Sequence, residues 1–340
     1  MTQEIDMDID EFVALSVKHN ASDLHLCAGH QPMLRIDGEL QPLEGAEILT
    51  QERMHQLCGT LLQPPQRQLL QQHGQLDLAL TLAGDIRLRA NFFLQSLGIS
   101  IALRLIAGHC PTLAALAAPA IVPALLRRED GLILVTGATG SGKSTTLAAM
   151  IDDINQHQRR HVITLEDPIE FMHHSRKSLI QQRELGRDSH SFDEALRAAL
   201  REDPDVILLG ELRDTTTIRL ALTAAETGHL VLATLHTRSA PQAVDRLVDV
   251  FPAEEKPYVR AQLAASLQAV IAQKLLSRPG GGRVAIFEVL TATAAVSSMI
   301  REGKTHQLAS VLQTGAQSGM QTFEQGLQQR IDAGLLGDSV

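Results

Sequence analysis

The glycine-rich octapeptide of this chain reads Gly137-Ala138-Thr139-Gly140-Ser141-Gly142-Lys143-Ser144. It follows an apolar run at 132–135 and precedes a stretch typical of a helix that begins at Thr145. A strand, a glycine-rich loop and a helix in this order are the context in which a P-loop binds phosphate. Glycine lets the backbone N–H groups face a triphosphate at little steric cost, and the helix adds the positive end of its dipole. We therefore predict a nucleotide site made of the octapeptide and Thr145, with Lys143 on the β- and γ-phosphates and Ser144 on Mg²⁺.

Length and composition predict a soluble protein of two or three domains. The chain has 340 residues, of which 44% are hydrophobic and 20% charged, and a single core rarely extends over so many residues. The cysteines Cys27, Cys58 and Cys110 are an odd number without a CxxC pair, which argues against a disulfide framework and against a cysteine-based zinc site. No apolar run of about 18 residues is present and the N-terminal segment is acidic, so we expect no transmembrane segment or signal peptide.

The charge balance argues against a nucleic-acid partner. The formal net charge is −9 at pH 7, and the chain has no tryptophan and a single tyrosine. Proteins that bind a phosphate backbone usually carry a basic stripe, and single-strand binders use aromatic side chains for stacking. A RecA-like motor on DNA stays open as an alternative, because a local basic patch can exist within an acidic total.

Alternating and helical patterns predict a small α+β domain at 1–108. An amphipathic pattern predicts a helix at about 5–19. Two hairpins are predicted, one turning at Asp37-Gly38 and one at Gly84-Asp85, with a further strand at 99–106.

Three prolines among alanines predict a linker at 109–123. Beyond it, in 124–340, apolar runs alternate with helical stretches, which predicts an α/β domain with a mostly parallel sheet covered on both faces. The apolar runs lie at 132–135, 161–165, 206–209 and 230–234. From about residue 256 the sequence predicts mostly helices, with one short strand near 284–289.

Two of the predicted strands end in a carboxylate. Glu166 follows the run at 161–165, and Glu211 follows the run at 206–209. Parallel sheets bind ligands at the carboxyl ends of their strands, so both side chains are expected at the edge that carries the P-loop. A carboxylate there can hold Mg²⁺ through water or orient the attacking water. The sequence does not divide these two roles between Glu166 and Glu211.

Two histidines flank the next strand. His229 precedes the run at 230–234 and His236 follows it, so they lie about 23 Å apart at roughly 3.3 Å per residue and cannot form a metal pair. His236 is expected at the P-loop edge, where it can sense the γ-phosphate. A single histidine beside a strand is often structural, and the residues alone leave both interpretations open.

Together these motifs resemble those of the secretion ATPase superfamily, the hexameric motors of type II secretion and type IV pili. The resemblance is carried by the P-loop, the acidic box at 164–171, the atypical Walker B strand that ends at Glu211, and the histidine box at 227–237. Further matching segments lie at 21–26, 35–38, 195–204, 249–252 and 319–323. Within the superfamily the chain is similar to the pilus retraction ATPases of the PilT type. Assembly and type II secretion motors typically carry a tetracysteine zinc module and an extra N-terminal region, and we expect neither in this protein.

The resemblance implies a PAS-like N-terminal domain at 1–108 and a RecA-like P-loop ATPase domain with a helical C-terminal part at 124–340. It implies ATP and Mg²⁺ as ligands, a homohexameric ring, and a cytoplasmic position at the inner membrane through the pilus machinery. The implied partners are the inner-membrane pilus platform protein and a sister pilus ATPase. As a mechanism, we expect Glu211 to act as the base or to position the water. We expect Glu166 to help hold the metal-bound water and to share the base role, and His229 and His236 to link phosphate state to domain position.

The resemblance also implies arginines of the first domain at the triphosphate, where they neutralise charge on the γ-phosphoryl group. The matching residues are Arg87, Arg89 and Arg104. Leu97 is a departure, because retraction motors often carry arginine before the glycine that corresponds to Gly98. An accessory retraction subunit with weak turnover therefore stays open as an alternative. A related assembly or type II secretion ATPase stays open as well, because no residue shows the direction of the motor.

Overall fold

The computed structural model describes residues 7–36, 38–82, 86–106 and 110–337. Contacts divide the chain into two compact units, Met1–Gly108 and His109–Val340. Asp37, the turn predicted at Gly84-Asp85 and the start of the predicted N-terminal helix lie outside the described residues.

The first unit contains a six-stranded antiparallel sheet with helices, and its strand order is β3-β2-β1-β6-β5-β4. Its elements are α1 (Ile9–Lys18), β1 (Asp23–Cys27), β2 (Met33–Ile36), β3 (Glu39–Pro42), α2 (Gln51–Leu61), α3 (Pro64–His73), β4 (Gln75–Leu82), β5 (Ile86–Gln95) and β6 (Gly98–Leu105). Strand alternation sets the core, since Leu24 and Leu26 are fully buried on one face of β1. Helix α2, with only three buried side chains, is not evident from the sequence pattern. The PAS-like character of this unit stays a prediction.

The second unit contains a seven-stranded sheet in the order β13-β12-β7-β11-β10-β8-β9. Its elements are α4 (Val122–Leu125), β7 (Gly131–Thr136), α5 (Lys143–His157), β8 (His161–Glu166), β9 (Leu179–Glu184), α6 (Phe192–Ala199), β10 (Val206–Leu209), α7 (Thr215–Glu226), β11 (Leu230–Leu235), α8 (Ala240–Asp249), α9 (Lys256–Ser266), β12 (Leu267–Ser277), β13 (Arg283–Thr291), α10 (Ala294–Arg301), a 3₁₀ turn (Thr305–Gln307), α11 (Leu308–Thr314), a second 3₁₀ turn (Ala316–Ser318) and α12 (Phe323–Asp332).

The predicted α/β class with a mostly parallel sheet is confirmed. The strands pair in parallel from β12 to β9, and β13 pairs antiparallel with β12. Both faces are covered, since Leu132 and Leu134 of β7 belong to one apolar cluster and Ile133 and Val135 to another. The apolar runs were therefore sufficient to find the four central strands.

The region after residue 256 is less helical than the sequence predicts. Strand β12 is 11 residues long and follows α9 without an intervening turn, so the apolar pattern gives no sign of the change from helix to strand. Strand β13 has 9 residues and extends beyond the predicted short strand. Edge strand β9 was also missed, because its sequence, LIQQRE, is mostly polar.

The predicted linker at 109–123 contains residues that pack against the core of the second unit. Leu113 and Val122 are buried in the same apolar cluster as Ile133 of β7. A segment that buries these side chains is fixed to the second unit from that point on.

Among the helices of the described residues, none combines the length and the apolar character needed to cross a bilayer.

Candidate nucleotide site

The P-loop connects the end of β7 to the start of α5, and its first and last loop glycines are required by the strand beside it. A Cβ atom at Gly137 would lie 2.5 Å from the backbone oxygen of Gln273. Gly142 is the N-cap of α5 with φ of 90°, and a Cβ there would lie 2.8 Å from the Gln273 side chain. Both positions therefore exclude larger residues, one by close approach and one also by its left-handed backbone.

The side chain of Gln273, on strand β12, hydrogen-bonds to the P-loop and to the first turn of α5. Its Nε2 donates to the backbone oxygen of Ser141 at 2.8 Å, and its Oε1 accepts from the Thr146 hydroxyl at 2.6 Å. The side chain is buried, so both bonds replace contacts with water. Sequence reasoning missed Gln273, and the available signal was that this glutamine directly follows the apolar run at 269–272.

Lys143 lies within the loop that it belongs to. Its Nζ donates to the backbone oxygens of Gly137 and Ala138 at 2.7 and 2.9 Å, and it lies 3.2 Å from Nδ1 of His236. Burial lowers the pKa of Lys143, and the negative charges of Glu211 and Glu170 oppose that shift. The ammonium group therefore depends on nearby acceptors and carboxylates to stay charged.

His236 and Glu211 extend this contact into a chain of hydrogen bonds. An ammonium group can only donate, so Nδ1 of His236 accepts from Lys143 and the histidine proton is assigned to Nε2. That nitrogen lies 2.8 Å from Oε1 of Glu211, and Nε of Arg213 donates to Oε2 of the same carboxylate at 2.6 Å. This chain of contacts connects the P-loop with the ends of β11 and β10, through Lys143, His236, Glu211 and Arg213 in that order.

Glu166 is the last residue of β8, and its carboxylate is held by two neighbours. The Thr164 hydroxyl donates to it at 2.6 Å and Nε2 of Gln182 at 3.1 Å. Burial raises the pKa of Glu166 to about 7, the hydrogen bonds oppose this shift, and the charges of Glu170 and Glu184 add to it. Glu166 is therefore partly protonated near neutral pH. Gln182, on the missed edge strand β9, is a further residue that sequence reasoning did not find.

These strand ends border one cavity. Its lining includes Ser144, Thr164, Glu166, His173, Gly210 and Glu211. At the loop itself, the Ser141 hydroxyl is buried and has no hydrogen-bond partner among the described residues. Buried hydroxyl groups are normally paired, so this atom and the N-terminus of α5 fit a bound phosphate. The remaining predicted residues, Thr139, Gly140 and Thr145, lie in the loop and the first turn of α5.

His229 lies away from this cavity within the chain. It precedes β11, at the end of the strand opposite His236, and its Nδ1 lies 3.1 Å from the backbone oxygen of Ala224 near the end of α7. The structure thus brings His236, but not His229, to the P-loop of the same chain. A role for His229 in hydrolysis stays a prediction.

The three predicted arginines share one face of the first unit's sheet. Arg89 of β5 is paired opposite Arg104 of β6, and Arg87 lies two residues before Arg89 on the same strand. Nε of Arg104 donates to Oδ1 of Asp23 at 2.9 Å. Arg87 is buried, whereas Arg89 and Arg104 are exposed. Their role toward a triphosphate stays a prediction.

Comparisons with known proteins found a family and relatives that match most of this chain. Residues 2–280 match the model of the family described as type II/IV secretion system protein. A protein of Escherichia coli K12, YggR, described as uncharacterized, is 59% identical over 97% of this chain and 100% of its own length. The type IV pilus retraction ATPase PilT of Pseudomonas aeruginosa is 48% identical over 97% of this chain and 96% of its own length. The crystal structure of the pilus retraction motor PilT with bound ADP is 44% identical, with a TM-score of 0.91 over 98% of this chain and 95% of that one.

Proposed function

The chain belongs to the type II/IV secretion system protein family, and we propose that it is an ATP-hydrolysing motor that drives retraction of type IV pili. The observation that carries the proposal is the continuous contact from Lys143 through His236 to Glu211 at the P-loop. The proposal for the pilus rests on the retraction ATPase that is 48% identical to this chain over nearly its full length.

ATP would bind with its phosphates on the backbone N–H groups of the loop and on Lys143. The Ser141 hydroxyl, buried without a partner among the described residues, would donate to a phosphate oxygen. Ser144 lines the same cavity as Glu166 and Glu211, so these three would hold Mg²⁺ directly or through water. Bound Mg²⁺ would neutralise charge that develops on the β- and γ-phosphates.

Glu211 is the better placed of the two glutamates to orient the attacking water. Both of its oxygens are already directed by hydrogen bonds from His236 and Arg213, whereas the raised pKa of Glu166 leaves it partly protonated. When Lys143 turns to the phosphates, it leaves the carbonyl oxygens of Gly137 and Ala138 and changes its contact with His236. His236 would thus report the phosphate state to Glu211.

The assembly belongs to the proposal as well. Six copies would form a ring, and ATP hydrolysis in the ring would act on the inner-membrane pilus platform protein, with a sister pilus ATPase as a further partner. The resemblance to hexameric motors supports the proposed ring and the proposed partners.

The test of the chemistry is the Glu211→Gln variant. We expect ATP hydrolysis to fall by about 10²–10⁴-fold, the usual contribution of a base or water-positioning group, while a fluorescent ATP analogue still binds. Glu254→Gln, an exposed glutamate in the same unit, is the matched control and should keep full activity. If Glu211→Gln hydrolyses ATP as fast as this control, Glu211 has no such role. If the unmodified protein binds ATP without hydrolysing it, the accessory-subunit alternative replaces the motor.

The test of the pathway is deletion of the gene in its host. We expect cells that carry excess pili and do not twitch, and we expect rescue by the intact gene but not by a Lys143→Ala version. Normal piliation and twitching in the deletion strain would rule out pilus retraction as the function.

A further inference from the structure

We propose that Cys110, Asp152 and His173 form a zinc site next to the nucleotide cavity. One sulfur, one carboxylate oxygen and one ring nitrogen from these residues all lie within 4.8 Å of one another, and all three side chains are half-buried. None of the three has a part in the nucleotide chemistry proposed above.

Three separate segments of the second unit bring these ligands together. Cys110 lies at the start of the described part of that unit. Asp152 lies on α5, the helix that begins at the P-loop. His173 lies in the loop that follows β8 and lines the same cavity as Glu166. A bound ion would therefore connect the loop after β8 to helix α5 and to the segment at Cys110.

The donor set suits zinc. Zn²⁺ binds cysteine sulfur, histidine nitrogen and carboxylate oxygen, and three protein ligands leave a fourth position for water. The thiolate and the carboxylate together carry two negative charges, which balance the ion, so that a half-buried site would not have to hold a net charge. Tetrahedral bonds of about 2.0–2.3 Å place ligand atoms roughly 3.3–3.8 Å apart. The ligand atoms therefore have to approach one another by at most about 1.5 Å, which rotation about the side-chain χ angles allows.

Hydrogen bonds to the ligands already position them. Nε2 of Gln156 donates to the Asp152 carboxylate, which fixes that side chain on α5. The backbone N–H of His173 donates to Oε1 of Gln182 at 2.8 Å, and Gln182 also bonds Glu166. Such outer contacts orient metal ligands and add to their affinity. The Cys110 thiol donates to the backbone oxygen of Ala148 at 3.7 Å, a long contact that metal binding would replace.

This site differs from the one that the cysteine count argues against. The three cysteines are too few for a four-cysteine site, but one cysteine with a histidine and an aspartate can bind zinc. Through Gln182, which bonds both Glu166 and the backbone of His173, the ion would stabilise the loop beside Glu166. Zinc should therefore raise the thermal stability of the protein in the absence of any nucleotide.

The experiment uses the full chain, freed of metal with a chelator and then titrated with Zn²⁺ or Co²⁺ alone. We expect one equivalent of Zn²⁺ per chain, a higher melting temperature, and in the Co²⁺ form an absorption band from a thiolate ligand. Cys110→Ser should lose that band, and His173→Gln should bind Zn²⁺ at least about tenfold more weakly. Cys27→Ser and the exposed neighbour His174→Gln are matched controls and should behave like the unmodified protein.

Two outcomes would overturn the proposal. One is absence of stoichiometric zinc binding by the unmodified protein. The other is equal zinc affinity and an equal cobalt spectrum in Cys110→Ser, His173→Gln and their controls, which would assign the binding to other histidines of the chain. Asp152→Asn is a third variant, so loss of folding in one of the others leaves the proposal testable. Because binding is measured without nucleotide, its failure is distinct from failure of the motor proposal.

Discussion

Replacing Gln273 with leucine is expected to loosen the P-loop without changing any residue that touches the nucleotide. Leucine has a similar volume but can neither donate to the Ser141 oxygen nor accept from the Thr146 hydroxyl, the two contacts that Gln273 makes at 2.8 and 2.6 Å. Both groups are then left in a buried position without their partner. A polar group that loses its partner there costs much more than the net contribution of an average hydrogen bond.

The size of the effect follows from these two groups. Each unpaired group costs about 1–3 kcal/mol, and the apolar surface of the leucine offsets part of that sum. We expect the free energy of unfolding of the second unit to fall by about 2–4 kcal/mol. Since the loop presents its N–H groups to the phosphates, we also expect the Kd for ATP to rise about tenfold, which corresponds to about 1.4 kcal/mol.

The assay is a titration with a fluorescent ATP analogue, together with urea unfolding followed by circular dichroism. Gln268→Leu is the matched control, because Gln268 lies on the same strand and its amide makes one long bond, 3.4 Å, to the backbone oxygen of Asp130. If Gln273→Leu binds ATP as tightly and unfolds at the same urea concentration as Gln268→Leu, the claim that β12 positions the P-loop is wrong.

Two further predictions concern buried polar groups at the site. Ser141→Ala removes a hydroxyl that has no partner among the described residues. The melting temperature should therefore stay the same or rise, while the KM for ATP increases several-fold. A lower melting temperature would contradict this prediction. Burial raises the pKa of Glu166 from 4.5 to about 7, so its contribution to stability is complete below pH 4.5 and is lost as the pH rises through 7, an effect on the order of 3 kcal/mol. Glu166→Gln should remove that pH dependence, and urea unfolding at about pH 5 and about pH 8, compared with the unmodified protein, measures whether it does.

Elements that depend on nearby residues were predictable. The P-loop needs glycines, a strand directly before it and a helix directly after it. Each of these is visible in one short segment of the sequence. The central strands are apolar runs because both faces of the sheet are covered. Glu166, Glu211 and His236 follow such runs, so the binding of ligands at the carboxyl ends of parallel strands predicts their position at the edge that carries the P-loop.

Residues that act across long separations in sequence were not predictable. Gln273 meets Thr146 across 127 positions, and the pairing of β12 beside β7 that brings them together has no local pattern. Gln182 lies on a polar edge strand that does not look like a strand. His229 and His236 are the opposite case, because their spacing along one strand already predicted that they lie at opposite ends of it, as β11 shows.

The sequence by itself determined that this chain binds a nucleotide at the edge of a parallel sheet, because backbone freedom and burial periodicity are local properties. Only the tertiary structure decided which polar side chains meet there. Lys143 contacts His236 across 93 positions, and Cys110 approaches Asp152 and His173. Such contacts depend on strand order and helix packing, which arise from the whole chain and cannot be read from any one segment of it.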